Sequence, residues 1–309
     1  MTPAPNGEQK GYALVIGVGA VNKTKYDGWD GKDETCVNDA QQMATFARER
    51  GFLLLAPSGD PSKDNEPLLT EKATRLNVIS MMEQAKTLEP GDFLLVHFSG
   101  HGGRDPKGPP SAVIGEYWSL YDGPLHDDEW DHMLAKIPEG VRVVVLSDSC
   151  WSGGFGPPDD EDPPGLVNIR FTRESEHLCI EARAGKTRAV PKNKRAAIRR
   201  VTPRLASPDD IPATVILLAA CHANQQAYSG RTHGVFTNAL LDVLTEHPSG
   251  LSYNTLYHEV GRKITCPLQS PFCWKHGAGA FEFAKEKAFS IAQPRHFSTP
   301  SMPAVGVPG

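Results

Sequence analysis

The sequence lacks the features that mark several broad classes of protein. Its six cysteines are spread over 309 residues without a Cys-x-x-Cys pair, so we expect reduced thiols rather than a disulfide framework. Its apolar runs are no longer than a strand, which argues against a membrane span. Its 32 Lys and Arg against 37 Asp and Glu leave no basic excess, which argues against a nucleic-acid partner. The residues before Lys10 show no signal-peptide pattern, so we expect a cytoplasmic location.

The chain does contain an alternation of strands and helices. Apolar runs at 12–18, 92–99 and 141–148 predict strands, and helical spacing at 37–50 and 127–136 predicts helices. The same patterns predict further helices at 76–85, 235–246 and 252–264, and further strands at 52–55, 214–220 and 279–283. This order of elements predicts an α/β fold with a mainly parallel sheet and helices on both faces.

The character of the sequence changes after Gly154. A run rich in proline and acidic residues covers 157–165, and the stretch from there to Pro212 lacks helical or strand periodicity. We therefore predict four parts: a large part at 10–156, a flexible basic linker at 157–212, a small part of the same domain at 213–290, and a loose tail at 291–309.

Two reactive side chains follow predicted strands. His101 and Cys150 each come just after an apolar run, and glycines follow both. Because ligands bind at the carboxyl ends of parallel strands, both side chains are expected in the same crevice. A histidine can activate a thiol as a nucleophile, so the pattern suggests a Cys–His catalytic pair. A buried structural cysteine and a strand-end histidine remain the alternative.

Five segments together resemble a known family. The family pattern has His-Gly after one strand, as at His101, and Asp-Ser-Cys after a later strand, as at Cys150. Three further matches follow in the family's order, at 34–40, 218–227 and 234–241. The chain thus resembles the caspase-like cysteine peptidases of metacaspase or orthocaspase type, whose clan includes legumain, gingipain and clostripain. The resemblance implies a caspase-like three-layer sandwich with a mainly parallel six-stranded sheet.

The resemblance implies roles for the two reactive residues. Cys150 matches the family nucleophile and His101 the catalytic histidine. The backbone N–H groups of Gly102 and Cys150 match the donors that hold the oxyanion. The family histidine after the nucleophile is replaced here by Trp151, which removes no catalytic atom.

A substrate pocket is implied by three further matches. The three residues match positions at which metacaspases bind the Lys or Arg side chain that precedes the cleaved bond of the substrate. They are Asp39, Ser99 and Asp148. Carboxylates in a partly desolvated pocket pair well with guanidinium. The alternatives are a turn-forming role for Asp148 and a helix-start charge for Asp39.

Calcium binding, which many metacaspases show, is weakly represented. Asp127 and Asp128 resemble two calcium ligands of the family, but Pro157 and Gly115-Glu116 stand where other ligands are expected. The alternative for Asp127 and Asp128 is helix capping. We therefore expect no metal and no cofactor.

The predicted linker is strongly basic. Residues 170–204 contain 11 Lys and Arg against three Glu. In the caspase-like family the corresponding link is commonly cut during activation, so cleavage by the protein itself or by an upstream peptidase is expected. A solvated basic loop or a nucleic-acid patch is the alternative. The candidate cleavage residues are Arg170, Arg173, Arg183, Arg188, Arg195, Arg199, Arg200 and Arg204.

The leading hypothesis is a cysteine endopeptidase, made as a zymogen, that cleaves protein substrates after Arg, with Lys as a second candidate. A catalytically weak caspase-fold module whose basic loop binds a partner is the alternative. An Arg-specific peptidase from another branch of the clan is the third hypothesis.

Overall fold

A computed structural model describes residues 9–60, 62, 64–104, 116–150, 187–190, 208–222, 225–265 and 268–292. The strands in these ranges are β1 (Gly11–Gly17), β2 (Leu53–Leu54), β3 (Leu68–Leu69), β4 (Phe93–Ser99), β5 (Gly102–Arg104), β6 (Glu116–Leu120), β7 (Gly123–His126), β8 (Arg142–Asp148), β9 (Thr214–Ala219) and β10 (Phe272–His276). The α-helices are α1 (Thr35–Glu49), α2 (Arg75–Ala85), α3 (Asp127–Leu134), α4 (Val235–Glu246), α5 (Tyr253–Lys263) and α6 (Ala280–Phe283), and two 3-10 helices cover Thr70–Lys72 and Pro208–Asp210.

One large sheet organises the molecule. Its strands lie in the order β10-β9-β8-β4-β1-β2, and the two-residue β3 also pairs with β1. All neighbours are parallel except β10, which runs antiparallel to β9. A separate antiparallel sheet has the order β5-β6-β7. The predicted α/β fold with a mainly parallel sheet is confirmed, and β3 is a seventh strand beyond the expected six.

Helices cover both faces of the large sheet. Every residue of β4 and β8 is buried, as expected for central parallel strands. One apolar cluster joins the sheet to α2 and α3 through Val78, Met82 and Trp130. A second cluster, on the other face, includes Ala40 of α1 and Phe236 of α4, together with apolar residues of α5 and α6. Among the helices in the described ranges, none is long and apolar enough to cross a lipid bilayer.

The prediction of a strand at 279–283 is wrong. Residues Ala280–Phe283 form α6, and the chain enters this helix through Gly279 at φ 94°. Phe281 is exposed and Phe283 is buried, so the alternation that suggested a strand comes from one short helical turn. The last strand is instead β10, an edge strand whose residues are mostly half-buried. Its weak burial explains why no strand pattern marked it.

The predicted functional residues come to one edge of the sheet. The carboxyl ends of β1, β4 and β8 lie side by side, because Gly17 pairs with Ser99 and Ser99 with Asp148. Helix α1 crosses the end of β1, where Cβ on Gly17 would lie 2.5 Å from the Cys36 carbonyl oxygen. Glycine at this position therefore lets α1 approach the strand closely.

We predict that Gly17→Ala lowers the free energy of unfolding by about 1–3 kcal/mol, the usual cost of overpacking. The added methyl would meet the Cys36 carbonyl oxygen and, at 2.6 Å, Cβ of Ala40. Gly261→Ala in α5 is the matched control, because its nearest atom would be Pro271 Cγ at 3.6 Å. Helix propensity favours alanine there by about 0.5–1 kcal/mol. Urea unfolding measures both, and equal stability of the two variants would contradict this account.

Candidate active site

Three acidic and hydroxyl side chains converge at the carboxyl edge of the sheet. Asp39 comes from α1, Ser99 from the end of β4 and Asp148 from the end of β8, and all three are fully buried. Ser99 Oγ donates to Asp39 Oδ2 at 2.7 Å. Asp148 Oδ2 accepts hydrogen bonds from Thr237 N–H at 2.9 Å and Oγ1 at 2.7 Å. The structure thus brings together the residues predicted to form the basic-side-chain pocket.

The guanidinium of Arg188 occupies this pocket and is completely buried. Its Nη2 lies 2.9 Å from Asp39 Oδ2, and its Nη1 lies 2.9 Å from Asp148 Oδ1. Nη1 also donates to Ser99 Oγ at 2.9 Å and to the Asp148 carbonyl oxygen at 2.8 Å. Two further hydroxyls accept from it, Thr35 Oγ1 from Nη2 at 2.9 Å and Ser229 Oγ from Nε at 3.2 Å.

Several pocket residues were missed by the sequence analysis. Asp33 lies 3.8 Å from Arg188 Nε and accepts a hydrogen bond from Ser229 Oγ. His233 Nδ1 lies 2.9 Å from Asp39 Oδ1. Gly234 N–H donates to both Asp39 oxygens at 3.1 Å. These residues sit in loops before α1 and before α4, where no periodicity marks a functional position.

The pocket holds more negative than positive charge. Burial on its own would raise the pKa of Asp39, but Arg188, His233 and Ser99 reverse this and hold it at about 2. Burial raises the pKa of Asp148, with Asp39 adding to the effect and Arg188 opposing it. Buried carboxylates that share one cation hold it strongly, because removing the cation would leave unpaired buried charge.

The backbone around Arg188 is held by hydrogen bonds to Ala227 and Gly102. Arg188 N–H donates to the Ala227 carbonyl oxygen at 3.0 Å. The Arg188 carbonyl oxygen accepts from Gly102 N–H at 3.0 Å, and Val190 N–H donates to the Gly102 carbonyl oxygen at 3.1 Å. Gly102 is therefore bonded on both its donor and its acceptor to the segment 187–190.

Cys150 lies two residues after the end of β8 and is 2% exposed. Its Sγ accepts from Ala227 N–H at 3.2 Å and lies 3.7 Å from Thr187 Oγ1. Burial raises the pKa of this thiol to about 12, so it is protonated at neutral pH. Cβ on Gly102 would lie 2.1 Å from the Cys150 carbonyl oxygen. The close approach of these two backbones thus requires glycine at position 102.

His101 is oriented by the loop before α1. Its Nε2 lies 2.8 Å from the Gly31 carbonyl oxygen, which can only accept, so Nε2 carries the proton and Nδ1 the lone pair. The ring meets the edge of Trp29 at a centroid distance of 4.8 Å. Burial lowers the pKa of His101, while Asp33 and the nearby backbone of Arg188 act against this. A neutral imidazole with a free lone pair can accept a proton.

The two acidic residues considered for calcium lie in the first turn of α3. Asp127 Oδ1 accepts from Asp128 N–H at 2.9 Å, and the side chain that caps the helix start is Glu129, which accepts from His126 N–H at 3.0 Å. Across the described ranges, no group of three or more His, Cys, Asp and Glu is placed to hold a metal ion. The expectation of no metal and no cofactor stays a prediction.

The candidate cleavage residues divide into two groups. Arg188 is described and lies in the pocket. The other seven lie outside the described residues: Arg170, Arg173, Arg183, Arg195, Arg199, Arg200 and Arg204.

Comparisons with known proteins agree with the fold. The family model described as the caspase domain matches residues 10–281. A crystal structure of a protein from Geobacter sulfurreducens superposes with a TM-score of 0.72 at 31% identity, covering 92% of this chain and all of that one.

Curated relatives with metacaspase names match part of the chain. Metacaspase-1B of Aspergillus clavatus is 31% identical over 149 residues, which is 46% of this chain and 35% of that protein. Metacaspase-7 of Arabidopsis thaliana is 28% identical over 184 residues, which is 55% of this chain and 41% of that protein. The matched region thus spans about a third of the length of the first fungal relatives.

We predict that His233 titrates above its usual range, because the hydrogen bond to Asp39 raises its pKa. Arg188 acts in the opposite direction, so Arg188→Gln should raise the His233 pKa further. A raised folded-state pKa means that this contact stabilises the fold at low pH, and the stabilisation is lost as pH rises through that value. NMR titration of the ring protons measures the shift. The same His233 pKa in Asp39→Asn as in the unaltered protein would contradict the assignment.

Proposed function

Because this chain belongs to the caspase domain family, we propose that it is a cysteine endopeptidase that cleaves proteins after Arg, with Lys as a second accepted residue. One observation carries the proposal. The Arg188 side chain fills an acidic pocket while the Arg188 carbonyl oxygen rests on Gly102 N–H, next to Cys150. This is the arrangement that a substrate with arginine before the cleaved bond needs.

The pocket chemistry favours arginine over lysine. The three nitrogens of Arg188 reach Asp39, Asp148 and hydroxyl groups on separate sides of the pocket. A lysine ammonium is a single point that can satisfy fewer of these groups at once. An aspartate would add negative charge to a buried acidic pocket, which electrostatics strongly disfavours. We therefore expect cleavage after Arg, more slowly after Lys, and not after Asp.

The proposed reaction uses residues already placed. His101 Nδ1 takes the proton from Cys150 Sγ, and the sulfur attacks the carbonyl carbon of the arginine. Gly102 N–H stabilises the negative oxygen of the tetrahedral intermediate. The intermediate collapses to a thioester as the C–N bond breaks, and the protonated imidazole gives its proton to the departing amine. Water, deprotonated by His101, then hydrolyses the thioester and regenerates the thiol.

The same geometry supports activation by cleavage of the linker. With Arg188 in the pocket and its carbonyl oxygen bonded to Gly102 N–H, we propose that Cys150 attacks the peptide bond between Arg188 and Ala189. While that bond is intact, the linker excludes other substrates from the pocket. We propose that cleavage there, by the protein itself or by an upstream peptidase of similar preference, frees the pocket.

A second candidate function is a weakly active interaction module. Its support is the closed state of the site, in which Cys150 is almost fully buried with a strongly raised pKa. No hydrogen bond joins the Cys150 thiol to the His101 imidazole in the described part of the chain. If the linker never leaves the site, its basic residues would serve only to bind an acidic partner.

We predict that the purified protein cuts itself between Arg188 and Ala189. Sequencing of new amino termini should give Ala-Val-Pro, the residues from Ala189 onward. Cys150→Ala, which removes the nucleophile, and Arg188→Gln, which removes the pocket cation, should both abolish this cut. A wild-type protein that stays intact at this bond would contradict self-cleavage, and a cut only after adding another peptidase would indicate upstream activation.

We predict that the cleaved protein hydrolyses fluorogenic peptides ending in Arg faster than those ending in Lys, with none for Asp. Asp148→Asn should lower kcat/KM for Arg at least about 100-fold, because breaking a buried ion pair costs about 3–5 kcal/mol. Asp209→Asn, at an exposed acid, is the matched control. Adding a calcium chelator should leave the rates unchanged. Preference for Asp would contradict the pocket assignment, and no turnover under any condition would favour the interaction module.

A further inference from the structure

We propose that the protein also recognises the two residues that follow the cleaved bond, taking a small residue first and then an apolar one. This inference rests on the proposed function and extends it to the other side of the cleaved bond. The site is formed by the edge of β5 that does not pair with β6 and by the apolar cluster in which Val190 is buried. Its ligand is a peptide segment in extended conformation.

The backbone of the linker pairs with the first residue of β5. Gly102, the first residue of β5, pairs with Trp118 of β6 on one side. On its other side it forms a parallel bridge with Ala189. Its N–H donates to the Arg188 carbonyl oxygen, and its carbonyl oxygen accepts from Val190 N–H. Such backbone pairing is a recurrent way for proteins to bind extended peptides.

The register of this pairing is fixed by the catalytic geometry. The N–H group of Gly102 that holds the oxyanion belongs to the same residue whose carbonyl oxygen binds Val190 N–H. Any substrate whose carbonyl oxygen occupies the Arg188 position therefore presents the N–H of its second following residue to Gly102. The third following residue in the linker is Pro191, which has no N–H to donate.

The side chains after the cleaved bond are buried in two different places. Ala189 is 8% exposed and belongs to the apolar cluster that contains Cys150 and Ala227. Val190 is fully buried and belongs to the opposite cluster, together with Trp118. Alternate sides are expected for an extended strand. A charged side chain at the Val190 position would be desolvated without an opposite charge, so apolar residues are selected there.

The test uses linker-cleaved protein and internally quenched peptides with the sequence Thr-Arg-Ala-Val-Pro-Lys. Replacing the valine by aspartate removes the apolar side chain, and N-methylation of the valine removes the hydrogen-bond donor. Each change should lower kcat/KM about tenfold or more, as loss of one buried contact does. N-methylation of the lysine, four residues after the arginine, is the control and should leave kcat/KM within about twofold.

Two outcomes separate this inference from the proposed function. Equal cleavage of all the peptides after Arg would overturn the inference and leave the endopeptidase assignment standing. If no peptide is cleaved, the rate of amide hydrogen exchange at Gly102 is compared between full-length Cys150→Ala and the double variant Cys150→Ala/Val190→Asp. Faster exchange at the Gly102 amide in the double variant supports the site, and unchanged exchange overturns it. Lys192→Asp in the same background is the control.

Discussion

The structure depends on one interaction, the buried guanidinium of Arg188 between Asp39 and Asp148. These carboxylates would repel each other strongly in a low-dielectric site without a cation. The surrounding hydroxyls and the Gly234 N–H reduce that cost but carry no positive charge. Without Arg188, the pair could avoid this repulsion only by taking up a proton or another cation.

The contacts of Arg188 depend on two places where backbone segments approach each other closely. Gly17 allows α1, and with it Asp39, to pack against β1. Gly102 allows β5 to contact the backbone of Cys150. It also donates a hydrogen bond to the Arg188 carbonyl oxygen and accepts one from Val190 N–H. Gly17 thus positions a residue that contacts the Arg188 side chain, and Gly102 contacts the Arg188 backbone. Burial raises the pKa of Cys150, while Thr187 and Arg188 of the linker act in the opposite direction.

Much of the fold could be predicted because its central elements carry strong patterns. Strands β4 and β8 are buried throughout and mostly apolar, and the predicted helix at 235–246 coincides with α4 (Val235–Glu246). Strand β10 could not be predicted, because an edge strand buries too little to show a pattern. In the site, motif resemblance found Asp39 and Asp148. It could not find Asp33 or His233, whose loops meet the pocket only in three dimensions, and it could not distinguish Arg188 from seven other linker arginines.

The claim that Arg188 occupies the pocket of its own chain is tested most directly by dilution. The measurement is the first-order rate constant for appearance of the Ala189 amino terminus as full-length protein is diluted about a hundredfold. An intramolecular site has an effective concentration independent of dilution, so the account predicts an unchanged rate constant. A rate constant that falls in proportion to protein concentration would show that one molecule cuts another, and would contradict it.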